Sequence, residues 1–167
     1  MDVEITEAIS TADVASVREL FLEYADSLGF DLGFQDFDSE VADLPGSYTR
    51  PRGAILLARE SERLLGCVAL RPLERDVCEM KRLYVRPEGR GRGVGRALAE
   101  AVIAAARRFG YRAMRLDTVP SMAAARELYR SLGFREVEPY RFNPIPGTSF
   151  MELDLEAAQP PRDSALG

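Results

Sequence analysis

Histidine is absent from all 167 residues. That absence excludes a Ser-His-Asp triad, a histidine-ligated zinc site and a histidine general base, so a base in this chain is expected to be a carboxylate. Cysteine is scarce. Cys67 and Cys78, in a chain that shows no leader, read as reduced and buried thiols, and without histidine to activate them neither reads as a nucleophile. No stretch approaches the roughly 20 apolar residues of a membrane span, and Met1-Asp2-Val3-Glu4 lacks the basic start and apolar run of a signal peptide. Both point to the cytoplasm, with no membrane partner. Excess positive charge is missing too: the net charge of -5 argues against a nucleic-acid partner, which would want a basic face. Lysine occurs once, at Lys81, so 22 Lys+Arg less one leaves 21 arginines, a bias that fits genomic base composition.

What the chain does contain is apolar material, 46% of its residues, enough for one core in one domain, taken as residues 1–155. Residues 156–167, with Pro160-Pro161, read as a disordered tail. Residues 3–5 predict a short strand. Ser10 or Thr11 then caps a helix in which Val14, Val17, Phe21, Tyr24 and Leu28 recur at helical spacing until Gly29 ends it. A shorter helix is expected over 36–44, a hairpin of strands over 54–59 and 64–71, and another strand over 77–85. A helix over 94–109 stops at Gly110. After it come a strand over 112–118, a helix over 122–132 and a last strand over 149–155. This order gives an α/β (α+β) mixed sheet with helices on both faces.

The most informative run is Arg90-Gly91-Arg92-Gly93-Val94-Gly95, between a strand and an apolar-periodic helix. Glycines allow a tight turn with bare N–H groups, and the following helix aims the positive end of its dipole at the same spot, which makes a phosphate cradle. It is not a P-loop, because Gly95 is followed by Arg96-Ala97 where Lys and Ser/Thr are required. Nor is it a dinucleotide fingerprint, since the position three beyond Gly93 is Arg96.

What remains is Arg-x-x-Gly-x-Gly, on Arg90, Gly93 and Gly95, and with it the chain resembles the GNAT superfamily of acetyl-CoA-dependent N-acetyltransferases. Leu83-Tyr84-Val85-Arg86-Pro87-Glu88 resembles the family's strand end before the loop. Residues 123–134, Ala-Ala-Ala-Arg-Glu-Leu-Tyr-Arg-Ser-Leu-Gly-Phe, resemble its second signature. The resemblance implies a mostly antiparallel sheet whose fourth and fifth strands splay after Val85 and Thr118, and a co-substrate, acetyl-CoA, with no metal. Its pyrophosphate would rest on Arg90, Gly91, Arg92, Gly93, Val94, Gly95 and Arg96. Its pantetheine arm would pair with the backbone of Leu83, Tyr84 and Val85, with Ser121 and Ala125 alongside. Met122 departs from the family, standing where many members have a CoA-binding Asn. Dimerisation is a family habit.

Acetyl transfer to an amine needs a base, an oxyanion donor and an acid. Glu79, 90 − 79 = 11 residues before Arg90, resembles the strand-four glutamate base of histone-type relatives; the other reading is a strand carboxylate paired to a basic neighbour. Alternation puts Glu79 on the side of Lys81, Leu83 and Val85 unless a bulge breaks the parity. Asp117 is the reserve base. By resemblance, Tyr129 protonates the departing thiolate, and a backbone N–H in 83–85 serves as the oxyanion donor; without the motif, Tyr129 would be read as part of a core stripe. For the acceptor, Phe30, Phe34, Lys81, Arg82 and Tyr140 are candidates, and Pro139-Tyr140-Arg141-Phe142-Asn143-Pro144, just before the last strand, is a candidate wall of the same pocket, in which Tyr140 either lines the pocket or packs. Seven acidic residues between Glu23 and Asp43 either roof a site for a cationic amine or simply face water, while Arg71, Arg75, Lys81 and Arg82 would suit an acceptor carboxylate. The leading expectation is a small-molecule amine N-acetyltransferase. Alternatives are a protein lysine or N-terminal acetyltransferase and a non-catalytic CoA sensor.

Overall fold

The computed structural model describes residues 2–33 and 36–156. Within them the order is β1 (Val3–Glu7), α1 (Thr11–Leu28), α2 (Phe37–Ala42), β2 (Ala54–Glu60), β3 (Arg63–Pro72), β4 (Val77–Val85), α3 (Val94–Arg108), β5 (Ala113–Thr118), α4 (Ala123–Ser131), β6 (Arg135–Val137) and β7 (Ser149–Asp154). The strands form one sheet in the order β1-β2-β3-β4-β5-β7-β6. All neighbours run antiparallel except β4 and β5, which are parallel. The expected mixed, mostly antiparallel sheet is what forms. The end of the expected tail beyond residue 156 lies outside the described residues, as does Phe34. No described helix is long and apolar enough to cross a membrane.

Local chemistry explains the element ends. Ser10 caps α1 with its side chain accepting from the Asp13 N–H, Asp13 reaches back to the Ser10 N–H, and Gly29 closes the helix in the left-handed conformation. Val17, Leu20 and Phe21 form the buried stripe of α1, each large side chain contributing about 1.5–3 kcal/mol through burial. α3 buries Leu98, Ala99, Val102, Ile103 and Ala106 on the opposite side of the sheet. There are accordingly two apolar clusters. One lies under α3 and α4 and includes Met80, Met114, Leu116 and Tyr129. The other lies under α1 and α2 and includes Phe37, Ile55, Leu57, Cys67 and Ala69.

Both cysteines are buried and unbridged, Cys67 in the second cluster and Cys78 in the first. Burial pushes both thiols up, Cys78 to about 12, so neither is a thiolate at neutral pH.

Candidate active site

The parallel pairing of β4 with β5 covers Val77–Ala113, Cys78–Met114 and Glu79–Arg115. The strands were expected to part after Val85 and Thr118; their recorded pairing stops at Glu79 and Arg115, so the wedge is deeper. A bulge contributes to this shape. Cys67 faces Tyr84 and Ala69 faces Lys81, two steps on β3 against three on β4, and Arg82 takes up the extra residue with φ 61. The bulge inverts the side-chain parity of β4. Cys78, Met80, Leu83 and Val85 pack toward α3, whereas Tyr84 packs in the cluster under α1 and Arg82 lies over the Tyr24 and Phe37 rings there. Leu83 and Val85 thus leave the side of Glu79 and Lys81, against simple alternation.

On the α3 side, the wedge opens into a groove of about 400 Å³. Of the residues expected to hold the co-substrate, Leu83, Tyr84, Val85, Arg90, Gly91, Gly93, Val94, Gly95 and Ala125 line it. Gly91 and Gly93 adopt φ 74 and φ 78, the left-handed region that side-chain-bearing residues avoid. Gly93 is also the N-cap of α3 and brings no side chain to the first-turn N–H groups, an arrangement that suits an anion. Arg92 instead pairs with Glu60, Arg96 donates to Ser131 Oγ at 2.6 Å, and Ser121 stands outside the lining. Arg90 Nε donates to the Val85 carbonyl at 3.0 Å, tying the loop to the strand end. Met122, at the position where many members have a CoA-binding Asn, lines the groove too, and Tyr24, Gly89, Ala124 and Leu128 line it without having been singled out for it. Of these, Ala124 and Leu128 sit in the second signature four residues apart, on one face of its helix, a signal that was available.

Tyr24, Leu83 and Met122 also line a chamber of about 30 Å³, whose other walls are Met80, Lys81, Arg82, Leu116, Asp117 and Tyr129. The chamber has room for a group the size of an amine or a water. Lys81, the chain's single lysine, is only 5% exposed, and burial with Arg82 alongside lowers its pKa to about 7 against the pull of Glu79 and Asp117. Tyr129 is buried against Phe134, its phenol pKa raised by burial. Asp117 accepts from Asn143 Nδ2 at 3.0 Å and, with Tyr24 and Met122, also belongs to a side cavity that contains Phe30.

Glu79 is fully buried, but its oxygens are occupied. Arg71 Nε donates to Oε1 at 2.9 Å, Arg141 Nη2 to Oε1 at 2.7 Å, and the Tyr140 hydroxyl to Oε2 at 2.8 Å. Burial and the adjacent Glu79 raise the pKa of Tyr140. The β6–β7 connection thereby lies across β4 and β5, fixed by Tyr140, Arg141 and Asn143. Arg141 and Asn143 belong to the segment 139–144 that the sequence offers as a wall of the acceptor pocket, though no local pattern names their partners. Arg82 makes a two-pronged pair with Glu40 at 2.9 and 2.8 Å. Arg75 is exposed and away from this cluster. The acidic run resolves mostly to the plain alternative: Asp26, Asp31, Asp36, Asp38 and Asp43 are exposed, while Glu23 binds Arg86 and Glu40 binds Arg82.

A groove of bare N–H groups at a helix start thus opens into a small chamber with a lysine, an aspartate and a tyrosine. Residues 14–134 match the model of the acetyltransferase (GNAT) family. The chain belongs to that family and is an N-acetyltransferase. It is 42% identical, over 145 residues, to an uncharacterized N-acetyltransferase of Schizosaccharomyces pombe, covering 86% of this chain and 89% of the relative. A GNAT-family acetyltransferase from Staphylococcus aureus superposes with a TM-score of 0.77 at 19% identity, covering 93% of this chain and 100% of that one. A Salmonella typhimurium protein solved with its cofactor acetyl-CoA superposes with a TM-score of 0.67 at 24% identity, covering 96% of this chain and 98% of that one.

Proposed function

We propose that the chain transfers an acetyl group from acetyl-CoA to the primary amine of a small molecule by direct attack in a ternary complex. The observation that carries this reading is the junction at Tyr24, Leu83 and Met122, where the glycine-lined groove meets a chamber the size of an amine. The pyrophosphate would rest on the N–H groups at Gly91, Gly93, Val94 and Gly95, and the pantetheine arm along Leu83 to Val85. A roofed chamber suits the end of a small amine better than a folded protein surface.

Asp117 attracts the acceptor ammonium, and neutral Lys81, with its pKa near 7, takes its proton. The freed nitrogen forms a bond to the thioester carbonyl carbon as the C–S bond breaks, while backbone N–H groups of residues 83–85 receive the carbonyl oxygen's developing charge. In all, the nitrogen sheds two protons. One reaches the sulfur by way of Tyr129, and the other leaves through Lys81 to solvent. In this reading Glu79, with its oxygens already bound to three donors, positions the β6–β7 connection instead of meeting the amine. This moves the proton acceptor from the strand glutamate to its neighbour two residues on.

Thiol release from acetyl-CoA across amino acids, polyamines, aminoglycosides and short peptides tests the reading. Acceptor-dependent release by a small amine, lost in Tyr129→Phe, is expected. Release with peptides alone favours the protein-acetylating alternative, and binding of acetyl-CoA without release by any acceptor favours a sensor.

A further inference from the structure

The ion pairs around the acceptor chamber are not all alike. Arg82 is matched by both oxygens of Glu40, and Arg115 by Glu152 and Glu74. Lys81 faces Asp117. Glu79, by contrast, is one carboxylate shared by two guanidiniums, and both bonds fall on the same oxygen, Oε1. At that carboxylate two guanidiniums, Arg71 and Arg141, share a single negative charge. A second observation coincides with it: Arg141 Nε is buried and has no hydrogen-bond partner. A buried N–H of a charged group without an acceptor is costly, and a guanidinium offers paired donors that fit a carboxylate.

We infer that the acceptor is an amino acid whose carboxylate is received by Arg141, with Arg71 beside it, while its amine reaches the Lys81–Asp117–Tyr129 chamber. This rests on the N-acetyltransferase reading and narrows its substrate class. Glu79 and Lys81 share one face of β4 two residues apart, roughly 7 Å along the strand. That separation places an anion receiver and an amine receiver within the span of one small amino acid. The Arg141 side chain is 21% exposed and that of Arg71 25%, so both are reachable from solvent while remaining partly dehydrated, where charge pairing is strong. Burial, with Arg82 and Arg71 adding to it, lowers the pKa of Lys81 beside this pair.

The test compares free L-amino acids with their methyl esters in the thiol-release assay, first with the unaltered protein and so without reliance on any variant. At least a tenfold higher kcat/KM for one or more acids over the matching esters is expected. In Arg141→Gln that preference should shrink at least tenfold, mainly through a higher KM for the acid, with partial recovery in Arg141→Lys. Esters used as well as or better than acids by the unaltered protein would overturn the inference and leave the acetyltransferase reading standing. Turnover of neither kind, nor of any other amine, would overturn both.

Discussion

The groove under α3 and the charged cluster under α1 are built on opposite principles. The groove is lined by apolar side chains and glycines from two short stretches, 83–95 and 122–128, with Tyr24 alone from elsewhere. The cluster is made of charged groups brought from β3, β4, β5, α2 and the β6–β7 connection, held by short ion pairs at Glu79 and at Arg82. One region offers backbone N–H groups to a ligand common to a whole family. The other offers side chains, where the proposed acceptor would be selected. A single bulge at Arg82 joins them, sending Leu83 and Val85 into the groove and Lys81 and Arg82 into the chamber.

Variants that damage one region and spare the other sharpen this contrast. The largest effect is expected for Lys81→Met, about 10³-fold in kcat for the true acceptor, the range of a lost proton acceptor, with acetyl-CoA affinity retained by calorimetry. Glu79→Gln should cost about 3 kcal/mol of stability, because it leaves two guanidiniums partly buried without their counter-charge, and thermal unfolding would show a drop of roughly 6–12 °C. On the groove side, a Cβ at Gly95 would meet Val85 and Leu128 at 3.7 and 4.0 Å and point into open groove. Gly95→Trp should therefore raise the KM for acetyl-CoA by roughly 10²-fold through misplacement of the co-substrate, with near-normal melting. Exposed acids of the first two helices, tested by Asp26→Asn, should change kcat/KM by less than about threefold, since such surface charges are largely screened.

Lysine burial also predicts how stability varies with pH. The pKa of Lys81 falls from 10.5 in the unfolded chain to about 7 in the folded one, so between these values the unfolded state binds the extra proton. The folded state consequently gains stability as pH rises from 7 toward 10.5, and the cost is full below 7. The melting advantage of Lys81→Met over the unaltered protein should accordingly be greatest near pH 6 and shrink toward pH 10.

The same contrast explains what could be read from the sequence. The groove was legible because one strand, loop and helix start make most of it, and its glycines carry a backbone meaning at fixed spacing. The helix of residues 11–28 was legible from its capping serine, its periodic apolar residues and its terminal Gly29. β6 was not, since its three residues are all exposed and show no alternation. Nor was the bulge, because Arg82 holds a positive φ where no glycine advertises it. The pairing of Arg141 and Tyr140 with Glu79 spans about sixty residues and has no local signature, so Glu79 and Tyr140 could each be named from the sequence but not their contact.

The account's central claim is that the amine is activated where the groove meets the Lys81 chamber. The pH dependence of kcat/KM for the acceptor, measured for the unaltered protein and for Lys81→Met, tests it most directly. A rising limb with an apparent pKa near 7 that disappears in the variant is the predicted result. An unchanged profile and rate in Lys81→Met would contradict it and return the base to a carboxylate.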